Sequence, residues 1–463
     1  MINLAVIRHR ATGPGSRIGS IFVNYGGPGT PGTGDLPLDF AVPCSLLYCV
    51  PEPLRQRFDI ISWDPRGIGE STAVQCFDTV QDELDFIATL PQGVPVTPAQ
   101  RSAWIKGYSY IAQLCGARNG ELLEHISPTE TARDLDLLRR AVGDPQLYYQ
   151  GESYGTFLGA TYANLFPDRV HTMLLLGNLN APAWVTADED DPRPNTFLGT
   201  QLRQNSDKGS AATLNAFLAL CGHASTNQCA FSAGSPAATG QKWKALLQNV
   251  LAQPVTLDGV TWDYDAVVTS VAQTLPLVAG WPLIGDSLQQ IWNGNNSSGP
   301  TSSAPDATDA PVTSVPSQSS AVKCAESPNP SDPQAYIALA DLAYDRSGDI
   351  GPYWAWFDEK CAGWPAVAAD RYTGPWDKPT AHPLLLVNNT YDPNTPYSNA
   401  AFMANTFANA RLLTVAGYGH VLGGQTSTCA NNYISSYFIN GSLPPLGAMC
   451  RQDQAPFTTS SNP

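Results

Sequence analysis

Gly151-Glu152-Ser153-Tyr154-Gly155 reads G-x-S-x-G. It lies between the short apolar run Leu147-Tyr148-Tyr149 and residues 156–166, TFLGATYANLF, whose apolar residues return at helical spacing. Strand, tight turn and helix is the context that makes this pattern a nucleophile elbow. As a bare pattern it is common, and a Gly-rich turn without chemistry is the competing reading. Glycines at 151 and 155 allow a sharp turn that side chains would block, which would lift the Ser153 hydroxyl above the edge of a sheet.

Working outward, further short apolar runs fall at 4–7, 21–24, 59–63, 173–176, 384–388 and 412–415. Most do not alternate with polar residues, as expected of strands covered on both faces of a mainly parallel sheet. Residues 129–142, TETARDLDLLRRAV, predict a helix capped by Ser127 or Thr129. Such strand–helix–strand units stack into a doubly wound α/β layer. After Leu176 the rhythm breaks. Helical patches at 212–220, 241–251 and 334–344 replace strand candidates, and the strand signal returns at Leu384. The predicted organisation is a core of 1–181 and 377–463 interrupted by a large, mostly helical cap, 182–376. Within the cap, 293–320 is low in complexity and reads as a mobile surface loop. No internal repeat is apparent.

At 463 residues, with 43% hydrophobic and 14% charged residues, the chain is long and apolar enough for one large core plus an inserted domain. A formal charge of −15 argues against nucleic acid as partner. No run of eighteen apolar residues occurs, so no membrane span is expected. The ten cysteines form no C-x-x-C pair and histidine is sparse, so neither a metal site nor a cofactor is expected. Joining neighbouring cysteines gives 44–49, 76–115, 221–229, 324–361 and 429–450, one framework among many, and points to an oxidising, extracellular compartment. Buried free thiols in a cytosolic enzyme are the alternative. Sequons at Asn295, Asn296, Asn388 and Asn440 agree with secretion, although Asn388 falls on a buried strand. No leader precedes the first apolar run, so the chain is read as a mature secreted domain.

A serine hydroxyl needs a base, and the base must come from a loop after a strand, at the same sheet edge as the elbow. Of six histidines, His420 qualifies, following the 412–415 run in Gly417-Tyr418-Gly419-His420; His9, His171 and His382 flank strands, while His125 and His223 fall in helical or cap segments. Asp392, in NTYDPNTP after the 384–388 run, is the candidate to orient it, with Asp358 and Glu359 as rivals within the cap. The order is then Ser…Asp…His. Oxyanion donors would be the N–H of Tyr154 and one from Asn24-Tyr25-Gly26-Gly27-Pro28-Gly29, with Gly27 favoured and Gly26 beside it. Asp64 and Arg66, in DPRGIGES, read as an ion pair or loop anchor.

These segments, together with LAVIRHRAT, GSIFVNYGGPG, FDIISWDPRGIGES, GESYGTFLGATYANLFPDRV and Cys361-Ala362-Gly363-Trp364-Pro365, resemble the α/β-hydrolase family of secreted tripeptidyl aminopeptidases and proline-iminopeptidase-like enzymes. The resemblance implies an α/β-hydrolase fold with a helical cap, catalytic Ser153, Asp392 and His420, and an oxyanion loop at 26–27. Two departures stand out. The Leu-Asp-Gly that often follows the strand behind the elbow is Leu175-Leu176-Gly177-Asn178-Leu179-Asn180, and the Pro before Gly-Gly is Tyr25. The first removes carboxylates that could hold a substrate ammonium; the acidic run 188–191 could replace them, or be a solvated face. Tyr25, Glu152, Asn178 and Asn180 are the candidate substrate contacts. The expected activity is an exopeptidase acting on free N-termini, monomeric or weakly oligomeric. The alternatives are hydrolysis of small esters, lactones or amides by the same triad, and a binding protein with a vestigial site.

Overall fold

Strand pairing places the elbow at the centre of a sheet. The computed structural model describes residues 1–41, 48–187, 197–294, 314–423 and 426–458. Along the chain the strands are β1 Val6–His9, β2 Gly19–Asn24, β3 Phe58–Trp63, β4 Leu147–Glu152, β5 Val170–Leu176, β6 Val255–Leu257, β7 Val260–Trp262, β8 Leu384–Tyr391, β9 Ala410–Tyr418 and β10 Met449–Arg451. β6 and β7 form a separate antiparallel hairpin; the others make one sheet in the order β1-β3-β2-β4-β5-β8-β9-β10. β1 is antiparallel to β3 and every other neighbour pair is parallel.

Every residue of β2, β3 and β4 is buried, because helices cover both faces. Successive side chains enter opposite cores. Phe22, Met173 and Leu175 pack on one face with Phe157, while Ile21, Val23, Leu174 and Leu176 pack on the other with Tyr437 and Phe438. Ser127 caps the predicted helix, Pro128–Ala141, accepting from the Glu130 N–H at 3.2 Å.

Between β5 and β8 the chain is mostly helical, and Phe217, Trp243, Val268 and Trp281 lie in a core of their own. Disulfides join 76–115, 221–229, 324–361 and 429–450, as neighbour pairing predicts. The 44–49 pair lies outside the described residues, as do Asn295, Asn296 and the acidic run 188–191. Asn388 is buried and hydrogen-bonded, which leaves no room for a glycan. Among the described residues no helix is long and apolar enough to cross a membrane.

Two expectations change. The low-complexity reading of 293–320 extends too far, since a helix, Pro316–Glu326, begins inside it. Its polar residues are buried against partners distant in sequence. Glu83 accepts from the Ser317 N–H and hydroxyl at 2.7 and 2.6 Å, and Gln318 Oε1 accepts from Gly69 N–H at 3.0 Å. Secondly, β9 runs through Tyr418, so Gly417 and Tyr418 belong to a strand, and β10 adds an edge that three residues were too few to announce.

Asp64 and Arg66 do not pair with each other. Asp64 accepts from Thr33 N–H and Oγ1 and from Glu70 N–H, at 2.8, 2.9 and 2.8 Å, tying the turn after β3 to the chain after β2. Arg66 donates through Nε and Nη2 to the two Asp134 oxygens, 2.7 Å each, and through Nη1 to Glu130 at 2.9 Å. Removing one partner of a buried pair leaves an uncompensated charge, so Arg66→Ala should destabilise by about 3–5 kcal/mol. The urea midpoint is expected to fall at unchanged m-value.

Candidate active site

Ser153 ends β4 and precedes the helix Tyr154–Leu165, with φ 53° and ψ −121°, a conformation costly for a side-chain-bearing residue. Its neighbours hold it there. The Ser153 N–H donates to Leu176 O at 2.9 Å, and Ser153 O accepts from Thr156 Oγ1 at 2.6 Å. Both flanking glycines are required for close approach. A Cβ on Gly151 would stand 2.3 Å from Gly155 O, and one on Gly155 2.5 Å from Asn24 O. Ser153 lines a cavity, and its hydroxyl makes no hydrogen bond among the described residues.

The loop after β2 folds onto this elbow. Gly26, at φ +85°, would place a Cβ 2.4 Å from Glu152 O and 2.9 Å from Tyr154 N, while Gly27 has φ +102°. Asn24 Oδ1 accepts from Gly26 N–H at 3.2 Å and pins the turn. Gly26, Gly27, Ser153 and Tyr154 are thereby brought together.

Asp392 and His420 arrive on the loops after β8 and β9. His420 Nδ1 lies 2.9 and 3.0 Å from the two Asp392 oxygens. Asp392 is fully buried and also accepts from Asn394 N–H, Thr395 N–H and Thr395 Oγ1, at 3.0, 2.9 and 2.9 Å. With Asp392 accepting, Nδ1 carries the proton and Nε2 is left free as a base. His420 N–H donates to Pro276 O at 2.9 Å, and Asn389 Nδ2 donates to the carbonyls of Tyr418, Gly419 and Val421, which fixes the loop. Gly177, next after the Leu176 that binds the Ser153 N–H, would set a Cβ 3.1 Å from His420 Cε1. Serine and histidine thus share one sheet edge, reached from the ends of β4 and β9. Asp358 instead pairs with Lys323 at 3.3 Å, and Glu359 is buried beside Trp104. His171 and His382 meet at the other end of the sheet, ring centroids 5.0 Å apart.

A cavity of about 250 Å³ opens at Ser153, bounded by Gly27, Tyr154, Leu179 and Thr395 from the sheet side and by Trp184, Tyr353, Trp354, Phe357, Gln201 and Gln273 from the helical segment. The four candidate contacts do not line it. The Tyr25 hydroxyl donates to Asp39 at 2.7 Å, and Glu152 is buried behind the elbow, accepting from Gln150. Asn178 bridges to β8 through Asn388, and Asn180 caps the helix Ala181–Val185. Thr395 and the aromatic wall were missed. The aromatic run Tyr353–Phe357 was visible in the sequence, but nothing local says which cavity it faces. Among the described residues no group of His, Cys, Asp or Glu side chains could hold a metal ion.

Several buried carboxyls surround the site. Burial, then Asp39, pushes Glu152 well above the usual carboxylate range. Burial raises Asp39 to about 7, and Glu326 and Glu359 to about 8, each opposed by hydrogen-bond donors.

A family model described as alpha/beta hydrolase fold matches residues 20–262, and one described as TAP-like protein matches residues 347–450. The chain is similar to a tripeptidyl aminopeptidase of Streptomyces coelicolor, 28% identical over 98% of this chain and 80% of that protein. It is also similar to the serine protease Hip1 of Mycobacterium tuberculosis, 27% identical over 96% and 83%. Carboxylesterase B of Mycobacterium tuberculosis is 29% identical over 96% and 82%.

Two tests follow from the geometry. Gly26→Ala should slow labelling of Ser153 by a fluorophosphonate by about 100-fold, because displaced reacting groups cost that much. Gly120→Ala, also at positive φ but with nothing within 4 Å, serves as the control for backbone strain alone. The second concerns pH. Folded Asp39, Glu326 and Glu359 hold protons that the unfolded chain, at ordinary carboxyl values, has released. Their contribution to stability is complete below the unfolded values and is lost as pH rises through 7 and 8. The denaturation midpoint should therefore fall between pH 5 and pH 8.

Proposed function

This chain belongs to the α/β-hydrolase fold family and is a serine hydrolase, and from that premise we propose that it is a secreted exopeptidase using Ser153, His420 and Asp392. The observation that carries the reading is the His420–Asp392 pair, at 2.9 Å, on the sheet edge where Ser153 stands on its strained turn. Ser153 Oγ attacks the carbonyl carbon while His420 Nε2 takes its proton, and the backbone N–H groups of Tyr154 and Gly27 hold the oxyanion. His420 then gives the proton to the departing amine, leaving an acyl-enzyme. Water, deprotonated by the same nitrogen, releases the acid. In this reading residues 182–376 act as the cap whose aromatic wall receives the acyl part. The four disulfides support an oxidising, extracellular setting.

The peptidase assignment draws on the tripeptidyl aminopeptidase and serine protease relatives. A second reading, hydrolysis of small carboxylic esters, draws on the cavity itself. Among the described residues no acidic side chain lines it; beside the Ser153 and Thr395 hydroxyls the lining is aromatic, aliphatic or amide-bearing. A panel of peptidyl-arylamides, with free and acetylated N-termini, set beside short-chain aryl esters separates the two. Cleavage of the free-amine arylamides, weakened by acetylation, is expected. Cleavage of esters alone would transfer the assignment to the second reading. Ser153→Ala should lower kcat/KM by at least about 10⁴-fold on whichever substrate is cleaved.

A further inference from the structure

We propose that Glu326 is a positioning residue for the Ser153 site, clamping the side chains of Tyr154 and Trp184 and thereby fixing both an oxyanion donor and one wall of the acyl cavity. The proposal rests on the reading of Ser153 as nucleophile. Glu326 closes the helix Pro316–Glu326 and is 1% exposed. Its Oε1 accepts from Trp184 Nε1 at 2.7 Å, and its Oε2 lies 3.1 Å from the Tyr154 hydroxyl. Ser327 completes the grip, donating through Oγ to Trp184 O at 2.5 Å. Arg203 Nη2 donates to Ser327 Oγ at 3.0 Å, and Arg371 Nη1 to Glu326 O at 3.1 Å. The Tyr154 and Trp184 rings stand 5.6 Å apart, so one carboxyl seats both. The Cys324–Cys361 disulfide ties this helix to the one that carries Tyr353, Trp354 and Phe357 into the cavity.

A carboxyl with both oxygens engaged acts through its partners. The Tyr154 backbone N–H lies beside Gly26, while its ring and hydroxyl run back to Glu326, so the phenol is the lever that sets the amide. Groups facing the carboxyl are Tyr154 from the helix after the elbow and Trp184 from the start of the cap. Arg371 hydrogen-bonds the Glu326 backbone carbonyl, and its charge favours the ionised acid, against the larger effect of burial; Arg203 reaches Ser327. Burial raises the acid to about 8, so at neutral pH it is mostly protonated, with Oε1 accepting from Trp184 and Oε2 hydrogen-bonded to the Tyr154 hydroxyl. Ionisation above that pH places a negative charge behind the oxyanion donor, which opposes the charge formed in the transition state.

Glutamine is the isostere of the protonated acid. On a neutral short-chain p-nitrophenyl ester at pH 7, Glu326→Gln should keep kcat within about threefold, while Glu326→Ala should lower it at least about tenfold with a smaller change in KM. Wild type should lose kcat above pH 8, and the Gln variant should not. Tyr154→Phe should lower kcat, and combining it with Glu326→Ala should cost no more than Glu326→Ala alone, because both remove one interaction. Should Glu326→Ala fail to fold by circular dichroism, the Gln and Phe variants decide. Full kcat in a folded Ala variant, or an alkaline limb that persists in the Gln variant, would overturn the proposal. Failure of wild type to label with a fluorophosphonate would instead overturn the nucleophile reading, which separates the two.

Discussion

Three glycines allow main chain to touch main chain where β2 and β4 end, and the rest of the site depends on that contact. Any side chain on Gly26, Gly151 or Gly155 would lie 2.3–2.5 Å from a backbone carbonyl oxygen. No rotamer relieves such a clash, because it is made by the Cβ itself and the obstructing atoms are backbone, in β2, in β4 and in the helix that follows. The approach forces Ser153 into a conformation costing on the order of 1–3 kcal/mol. That cost is offset by the bond from its N–H to Leu176 and by the burial of the helix that follows, of which Tyr154 to Asn164 are all buried. The strain is local and the compensation is spread through the core. Rigid placement of the serine is the result.

The other half of the site reaches the same edge through polar side chains rather than through missing ones. β5 and β8 are joined beyond their paired residues by Asn178 and Asn388, whose amide and carbonyl groups substitute for strand hydrogen bonds. Asn389 does the same for the loop after β9, with three bonds from one amide nitrogen. Thr395 contributes two donors to Asp392, so its carboxylate is satisfied before His420 is counted. The histidine is therefore oriented by a carboxylate that cannot rotate, and by Pro276 from the helical segment. The segment between β5 and β8 is thereby tied to the sheet at His420.

This division explains what was legible in the sequence. Strand runs, the strand–turn–helix at Ser153 and the NYGGPG loop all express local backbone demands, which leave glycines, prolines and short apolar runs at fixed spacing. Disulfide neighbours were legible for the same reason, since short loops close easily. Glu326 left no such mark: its partners Tyr154 and Trp184 lie 172 and 142 residues away, and a lone Glu in SAVKCAES reads as surface. Ser317 and Gln318 read as loop because polar composition signals exposure, yet both are buried against Glu83 and Gly69. Asn178 and Asn180 were chosen as substrate contacts by position after β5; their side chains are spent on holding loops.

A chain of net charge −15 must keep negative potential away from a site that, in the proposed mechanism, develops an oxyanion. Here the acidic groups nearest the elbow are buried rather than absent. Desolvation disfavours the charged form, so Glu152, Asp39 and Glu326 hold protons over part of the range in which free carboxyls have lost them. Asp392 differs in its surroundings, with four donors facing its carboxyl: two backbone N–H groups, a hydroxyl and the His420 ring. Burial costs stability as pH rises, yet it keeps Glu152, Asp39 and Glu326 from adding negative charge around Ser153. Electrostatics and packing are therefore not separable at this site. The same dry enclosure that seats Tyr154 and Trp184 on Glu326 also raises the pH at which that carboxyl takes on charge.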